Sequence, residues 1–395
     1  LDATLRHYQQ EGLDWLAFLH RHQLGGILAD DMGLGKTVQT LALCLHILET
    51  KPDARFLVVA PTSVVENWAR EAARFAPGME VRTIRETAAR RGEPLGTTIG
   101  DARLVVTSYA LFRLEFDDYA ERPWELLLLD EAQFVKNHHS KAYQCARRLD
   151  AATKIAITGT PLENSLMDLW SLLAIVAPGL YPRADKFTEF YRRPIESGES
   201  PEVLDRLRRR IKPLMLRRTK DMVATDLPEK QEQQLRVQLT PTHRRLYDQH
   251  LQRERQRVLG LLDDPVGNRV AILAALTRLR QLSLDPRLVD PEQVGSGIPA
   301  KIEILTQHLA ELHAEGHRAL VFSQFTGFLK LVQDHLDASG ISTAYLDGAT
   351  RNRASVVKEF KEGSATAFLI SLKAGGVGLT LTEADYVFVL DPWWN

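Results

Sequence analysis

Gly25-Gly26-Ile27-Leu28-Ala29-Asp30-Asp31-Met32-Gly33-Leu34-Gly35-Lys36-Thr37 sets a small-residue loop between an apolar run and a helical pattern, and it ends in Gly-Lys-Thr. No other stretch constrains the fold as strongly, because it dictates a strand, a tight loop and a helix in that order. Glycines let backbone N–H groups close around phosphate oxygens, and a helix starting at Thr37 points its positive end at the same charge. In this arrangement Asp31, Met32, Gly33, Leu34 and Gly35 line a triphosphate. Lys36 reaches the β- and γ-phosphates, and the Thr37 hydroxyl holds Mg²⁺. One position departs from the usual pattern: Asp30 stands where a glycine is expected, five residues before Gly35. Taken alone, the match is also compatible with a structural turn.

A second site narrows the choice. Glu125–Leu129 reads as a buried strand and runs into Asp130-Glu131-Ala132-Gln133. A carboxylate at the carboxyl end of a central strand is where a nucleotidase holds its Mg²⁺, and the adjacent Glu131 can orient or deprotonate the attacking water. A solvated strand end with two acids explains one site but not both. Lys36, Asp130 and Glu131 are therefore the expected catalytic set, with Thr37 and Asp130 on the metal.

The 395 residues suit two or three domains, and 44% hydrophobic with 26% charged residues allows full cores. No apolar run reaches membrane-spanning length and no signal peptide opens the chain. The two cysteines, Cys44 and Cys145, lack disulfide or metal spacing, which points to a reducing compartment, cytoplasmic or nuclear. A net charge of −1 gives no support for nucleic-acid binding. Locally the balance differs: between Glu202 and Lys220 eight basic residues face two acidic ones, enough to attract a phosphate backbone. For Arg206–Arg210 a solvated helix face accounts equally well. The start at Leu1 and the stop at Asn395 read as cut ends of a longer protein.

Strand-like runs at Ile27–Ala29, Phe56–Ala60, Leu104–Ser108, Leu126–Leu129 and Lys154–Ile157 alternate with amphipathic stretches such as Thr37–Glu49 and Val64–Phe75. Such alternation predicts an α/β fold with a parallel sheet between helices. From Pro182 to Pro291 the pattern predicts helices alone, with apolar spacing at Val203/Leu204/Leu207/Ile211 and Val270/Leu273/Leu276/Leu279. Gly295–Pro299 reads as a linker. A second alternating region follows, with strands at Ala319–Phe322, Thr343–Leu346, Ala367–Ser371 and Tyr386–Leu390. The expected organisation is a first lobe over 1–180, a helical insertion and linker over 181–297, and a second lobe over 298–395. Nucleotide bound between two such lobes would draw them together.

These residues, taken in order, resemble the SWI/SNF-type DNA translocases of helicase superfamily two, over nearly the whole chain. Leu5–Gly12 looks like the family's adenine-recognition motif, with Gln9 in the adenine-reading place, a task suited to an amide that both donates and accepts. Val59–Ser63 with Trp68, and Thr107-Ser108-Tyr109, look like its early DNA-backbone motifs; Thr158-Gly159-Thr160-Pro161 looks like the motif coupling hydrolysis to lobe motion. Met215–Lys220, Asp226–Lys230, Val321–Phe325, Tyr345–Gly348, Ser371–Leu379 and Asp391–Asn395 follow in the family's order. The resemblance implies two RecA-like lobes and an ATP hydrolase with ATP and Mg²⁺ as cofactors. Double-stranded DNA would be its partner and DNA-bound protein complexes its target. Pro61, Thr62, Ser63, Thr107, Ser108, Tyr109, Arg217 or Arg218, and Lys373 would lie along DNA, and Thr158, Gly159 and Thr160 would couple. Gly378 would face phosphate, although Gly375, Gly376 and Gly378 also suit a tight turn. Lys373 also suits a strand cap, and Trp393 and Trp394 suit core or interface packing.

Two departures stand out. Gln133 replaces the His of many relatives, and a Gln still hydrogen-bonds. The family's last motif, which supplies an arginine to the γ-phosphate, would follow Asn395. Such an arginine is worth roughly 10³–10⁵ in turnover, so the resemblance implies that this piece binds nucleotide and hydrolyses it poorly. A strand-separating DNA or RNA helicase is the first rival, and a non-catalytic nucleic-acid-binding scaffold the second.

Overall fold

Apolar runs without polar alternation, such as Phe56–Ala60 and Leu126–Leu129, need cover on both faces. In the computed structural model each of these residues is fully buried. The structure describes residues 1–159, 165–198, 201–223, 232–260, 268–290, 297–375, 379 and 381–391. The chain divides into two compact units, Leu1–Glu229 and Lys230–Asn395.

The first unit is built on seven strands: β1 (Gly26–Leu28), β2 (Phe56–Ala60), β3 (Val81–Ile84), β4 (Leu104–Ser108), β5 (Trp124–Leu129), β6 (Ala151–Ile157) and β7 (Met215–Leu216). They run in the order β3-β4-β2-β5-β6-β1-β7, and every pairing is parallel. Three helices matter for the site: α1 (His7–Arg21), α2 (Lys36–Thr50) and α3 (Thr62–Phe75). Helix α2 follows β1 after the glycine loop, and α3 starts directly beyond β2. Trp68 on α3 is completely buried, as are Leu41, Leu43 and Cys44 on α2.

Register sets where the loops emerge. Leu28 is level with Ile157, Leu129 with Ala156, Val59 with Leu129, and Ala60 with Ser108. The carboxyl ends of β1, β2, β4, β5 and β6 therefore form one row. That is where an open parallel sheet presents ligand-binding loops.

The second unit holds a parallel sheet of β8 (Ala319–Ser323), β9 (Thr343–Leu346), β10 (Ala367–Ser371) and β11 (Tyr386–Val389) in the order β11-β8-β10-β9. Phe328, Leu329 and Val332 of the helix Thr326–Ala338 pack into its core. The helices Pro241–Leu259 and Arg269–Leu284 belong to this unit, tied by a bond between His243 Nε2 and the Leu282 carbonyl at 2.6 Å.

Three expectations need correction. A strand does occur between Pro182 and Pro291: Met215–Leu216 closes one edge of the first sheet. The opposite edge, Val81–Ile84, was not expected at all. Only its Ile84 is buried, because an edge strand pairs on one side and carries little apolar signal. The stripe Val270/Leu273/Leu276 faces outward, with Val270 82% exposed, while Ala275, Leu282 and Leu284 supply the buried face.

Leu128, completely buried in the central strand β5, reports on this core. Leu128→Ala should cost about 2–5 kcal/mol, seen as a lower urea midpoint at unchanged slope. A loss below about 1 kcal/mol would contradict the two-sided burial of β5.

Candidate nucleotide site

Gly33 and Gly35 both sit in the left-handed region, at φ 86° and 75°, which glycine alone enters without cost. Gly35 also lies close to α1: a Cβ there would stand 2.5 Å from Gln9 Nε2 and displace that side chain. The loop closes on itself through Lys36, whose Nζ donates to the Asp30 carbonyl at 2.7 Å and the Asp31 carbonyl at 3.1 Å. Burial pulls the Lys36 ammonium below its ordinary value, while the Glu131, Asp130, Asp30 and Asp31 charges pull it back up. Gln9 reaches the loop from α1: its Nε2 donates to the Leu34 carbonyl at 3.2 Å, and its Oε1 accepts from Arg6 N at 2.9 Å.

Two strands away, β5 delivers the acids. Asp130 Oδ2 accepts from Trp68 Nε1 at 2.7 Å, and Oδ1 accepts from Glu131 N at 2.9 Å. Tyr109 donates its hydroxyl to the Asp130 carbonyl at 2.8 Å. Burial pushes the Asp130 carboxyl up to about 6; the Trp68 hydrogen bond opposes this and the Glu131 charge adds to it. Glu131 has φ 47° and ψ 56°, a left-handed conformation that is costly for a residue with a side chain and that clusters at functional sites. Its Oε2 accepts from Gln133 Nε2 at 2.9 Å, and Gln133 Oε1 accepts from Thr158 Oγ1 at 3.3 Å. Gly159 abuts the glycine loop: a Cβ on it would stand 3.2 Å from Met32. Lys36, Asp130, Glu131, Thr158 and Gly159 thus converge at the row of strand ends. Thr160 and Gly378 lie outside the described residues.

The expected DNA-facing residues are not equally available. Thr62 and Ser63 are exposed at the start of α3, and Arg217 and Lys373 are exposed. Pro61, Thr107, Ser108 and Tyr109 are buried; Ser108 caps the next helix by accepting from Leu111 N, and Tyr109 holds Asp130. Arg218 is buried too, and its contacts correct its assignment to DNA. Its Nε donates to Asp30 Oδ1 at 3.0 Å, its second amino group to Asp30 Oδ2 and to Gln39 Oε1 at 2.8 Å, and its first to the Tyr8 carbonyl. A guanidinium fully engaged in a protein pair has nothing to offer a phosphate backbone. Sequence reasoning passed over Trp68 and Gln39 as partners of this site. The one available signal was Asp30 itself, an acid where the pattern wants glycine.

In the second unit, Gly375 packs against the Phe322 ring, 2.7 Å from where its Cβ would be. Asp391 accepts from Gln324 N at 3.2 and 3.0 Å, and burial holds its carboxyl above the usual range.

The Asp130 shift has a measurable consequence. The folded chain keeps this proton to about pH 6, whereas an unfolded aspartate releases it near 3.8. Across that window the folded state binds the extra proton, so its contribution to stability is present below the window and lost as pH rises. The loss amounts to about 3 kcal/mol. Without divalent metal or nucleotide, Asp130→Asn should melt above the parent chain at pH 7.5, and the two should converge near pH 4. Parallel melting curves at both values would contradict the assignment.

Comparison with known proteins agrees with the fold. Residues 8–288 match the family model of the SNF2-related domain, and residues 300–395 match the helicase conserved C-terminal domain. The chain is 34% identical over 402–405 aligned positions to relatives that include the chromodomain-helicase-DNA-binding protein 1-like of Mus musculus, aligning 99% of this chain with 44% of that protein. It is 30% identical over 412 residues to the ISWI chromatin-remodeling complex ATPase ISW1 of Saccharomyces cerevisiae, with 100% of this chain on 36% of that protein. The chain thus spans less than half the length of these curated relatives. Among solved structures, the Sulfolobus solfataricus SWI2/SNF2 ATPase core in complex with dsDNA matches with a TM-score of 0.56 at 28% identity, covering 100% of this chain and 83% of that one. The chain belongs to the SNF2-related family of SWI/SNF-type helicase-like proteins, and its two sheets are the family's two RecA-like lobes.

Proposed function

We propose that this chain is an ATP-driven motor that translocates on double-stranded DNA. The observation that carries the reading is the meeting of Lys36 and Thr37, at the start of α2, with Asp130 and Glu131, at the end of β5, in one row of strand ends. Lys36 neutralises the β- and γ-phosphates, and the glycine loop offers its N–H groups to the same oxygens. Glu131, held by Gln133, accepts the proton of the attacking water while its oxygen bonds the γ-phosphorus and the bond to ADP breaks. Gln9, anchored to Leu34, reads adenine.

The residues present fit a Mg²⁺ ion. Asp130 is a partly buried carboxylate whose charge desolvation disfavours, and a cation would reverse that. No three-residue cage of His, Cys, Asp or Glu occurs among the described residues, which suits Mg²⁺, an ion that takes one or two carboxylates and fills its shell with phosphate and water. Thr37 and Asp130 would hold it. Bound there, it would supply charge neutralisation on the transferring phosphoryl group.

The duplex assignment is supported by the Sulfolobus core solved with dsDNA and by the exposed Thr62, Ser63, Arg217 and Lys373. Their hydroxyl and cationic groups suit phosphate contacts that carry no sequence information. The hydrogen-bonded series Thr158–Gln133–Glu131 supports a role for Thr158 and Gly159, and with them Thr160, in passing the hydrolysis state along the strand ends. DNA-bound protein complexes are the proposed targets, in keeping with the remodelling enzyme named among the relatives. Work on DNA implies an intracellular location. None of the described helices is long and apolar enough to cross a membrane.

Glu131→Gln should lower ATP turnover by about 10²–10⁴-fold while nucleotide affinity stays unchanged. Duplex DNA should stimulate the parent chain's turnover, and an unwinding assay should yield no single strands. Released single strands would favour a strand-separating helicase; equal turnover in Glu131→Gln would remove Glu131 from the chemistry.

A further inference from the structure

We propose that Arg218, 188 residues beyond Asp30 in sequence, is a positioning residue of the nucleotide site, and that it ties nucleotide binding to the order of the segment Leu216–Lys220. The inference rests on the nucleotide reading of the Gly33–Thr37 loop and concerns what holds that loop in shape.

Asp30 does two things at once. Its carbonyl anchors Lys36 Nζ at 2.7 Å, and its fully buried carboxylate takes the Arg218 guanidinium and the Arg218 backbone N–H. Movement of Arg218 is therefore transmitted through one residue to the lysine assigned to phosphate. The loop is also sewn to the same segment by its backbone. Ala29 N donates to the Leu216 carbonyl at 2.7 Å, Asp31 N to the Arg218 carbonyl at 3.0 Å, and Lys220 N to Asp31 Oδ2 at 3.1 Å. Two more partners of Arg218 belong to the site. Gln39 accepts from it at 2.8 Å while donating to the Leu34 and Gly35 carbonyls at 3.4 and 3.3 Å. Tyr8, whose carbonyl takes another Arg218 N–H, directly precedes Gln9. Helices α1 and α2 approach this hub closely: a Cβ on Gly12 would stand 1.9 Å from Gln39 Oε1 and 2.8 Å from the Arg218 guanidinium.

Stability does not explain such a pair. A buried ion pair is often matched or exceeded by apolar residues of the same volume, and the best-attested use of one is to fix a particular arrangement. Here it fixes the loop against Leu216–Lys220, near the end of the first compact unit. Linkage is reciprocal, so phosphate that orders the loop must also order this segment.

The test measures equilibrium ATP binding with Mg²⁺, thermal melting, and amide exchange over residues 216–220. It compares the parent chain with Arg218→Lys, with the charge-free double variant Asp30→Asn/Arg218→Met, and with Lys36→Ala. The double variant serves if Arg218→Lys does not fold, because it leaves no lone buried charge. A folded variant should bind ATP on the order of tenfold more weakly, the usual reach of an outer-shell positioning contact. ATP should slow exchange at residues 216–220 in the parent chain and not in that variant. Parent-like ATP affinity in a folded Arg218 variant, alongside lost affinity in Lys36→Ala, would overturn this inference and leave the nucleotide reading intact. No ATP binding by the parent chain would overturn both.

Discussion

Parallel hydrogen bonding fixes the height of each strand end relative to its neighbours, and the site depends on that register. Leu28 level with Ile157, and Leu129 level with Ala156, bring three loops far apart in sequence to one edge of the sheet. The backbone bonds continue past the strands: Thr158 N donates to the Leu28 carbonyl at 3.1 Å, and Asp130 N to the Val59 carbonyl at 2.9 Å. A parallel strand slipped along its neighbour would move its loop by about 3.3 Å per residue, enough to break the hydrogen bonds that Asp130 makes to Trp68 and Glu131. Side-chain chemistry is therefore set by main-chain geometry, and the apolar runs of β2 and β5 serve that geometry by burying both faces.

Electrostatics in the site runs against comfort. Asp130 and Lys36 are both partly buried, and desolvation works against the charge of each. Glu131 adds a backbone conformation that residues with side chains avoid. Such costs persist where the surrounding fold over-determines them, and a phosphate chain with its cation would relieve the electrostatic part. Trp68 is central to this balance: its indole N–H on one oxygen, with the Glu131 N–H on the other, holds a desolvated carboxylate at the strand ends.

Much of this was legible in the sequence, and the illegible part has a common cause. The interior strands announced themselves through unbroken apolar runs, and the glycine loop through residues that only a left-handed turn requires. The two edge strands of the first sheet did not, since Val81–Ile84 and Met215–Leu216 need little apolar continuity. Arg218 was read with its basic neighbours because Arg206–Lys220 carries one sign of charge throughout. Its partner lies 188 residues away, and no local pattern encodes a contact at that separation. Tyr109 and Thr107 were read as backbone contacts of DNA for a related reason: motif order gives a place in the chain, whereas burial is decided by the helices that pack over it. The stripe at Val270/Leu273/Leu276 shows the limit of periodicity, which identifies a helix but does not say which face is covered.

The most direct test is a crystal structure of this chain with a non-hydrolysable ATP analogue and Mg²⁺. The account predicts the phosphate chain against the N–H groups of Gly33–Thr37, Lys36 Nζ on the phosphates beside an Asp30 still held by Arg218, and the metal held by the Thr37 hydroxyl and the Asp130 carboxylate. A triphosphate bound away from the row of strand ends, or a metal that leaves Asp130 uncoordinated with its Trp68 contact broken, would contradict it.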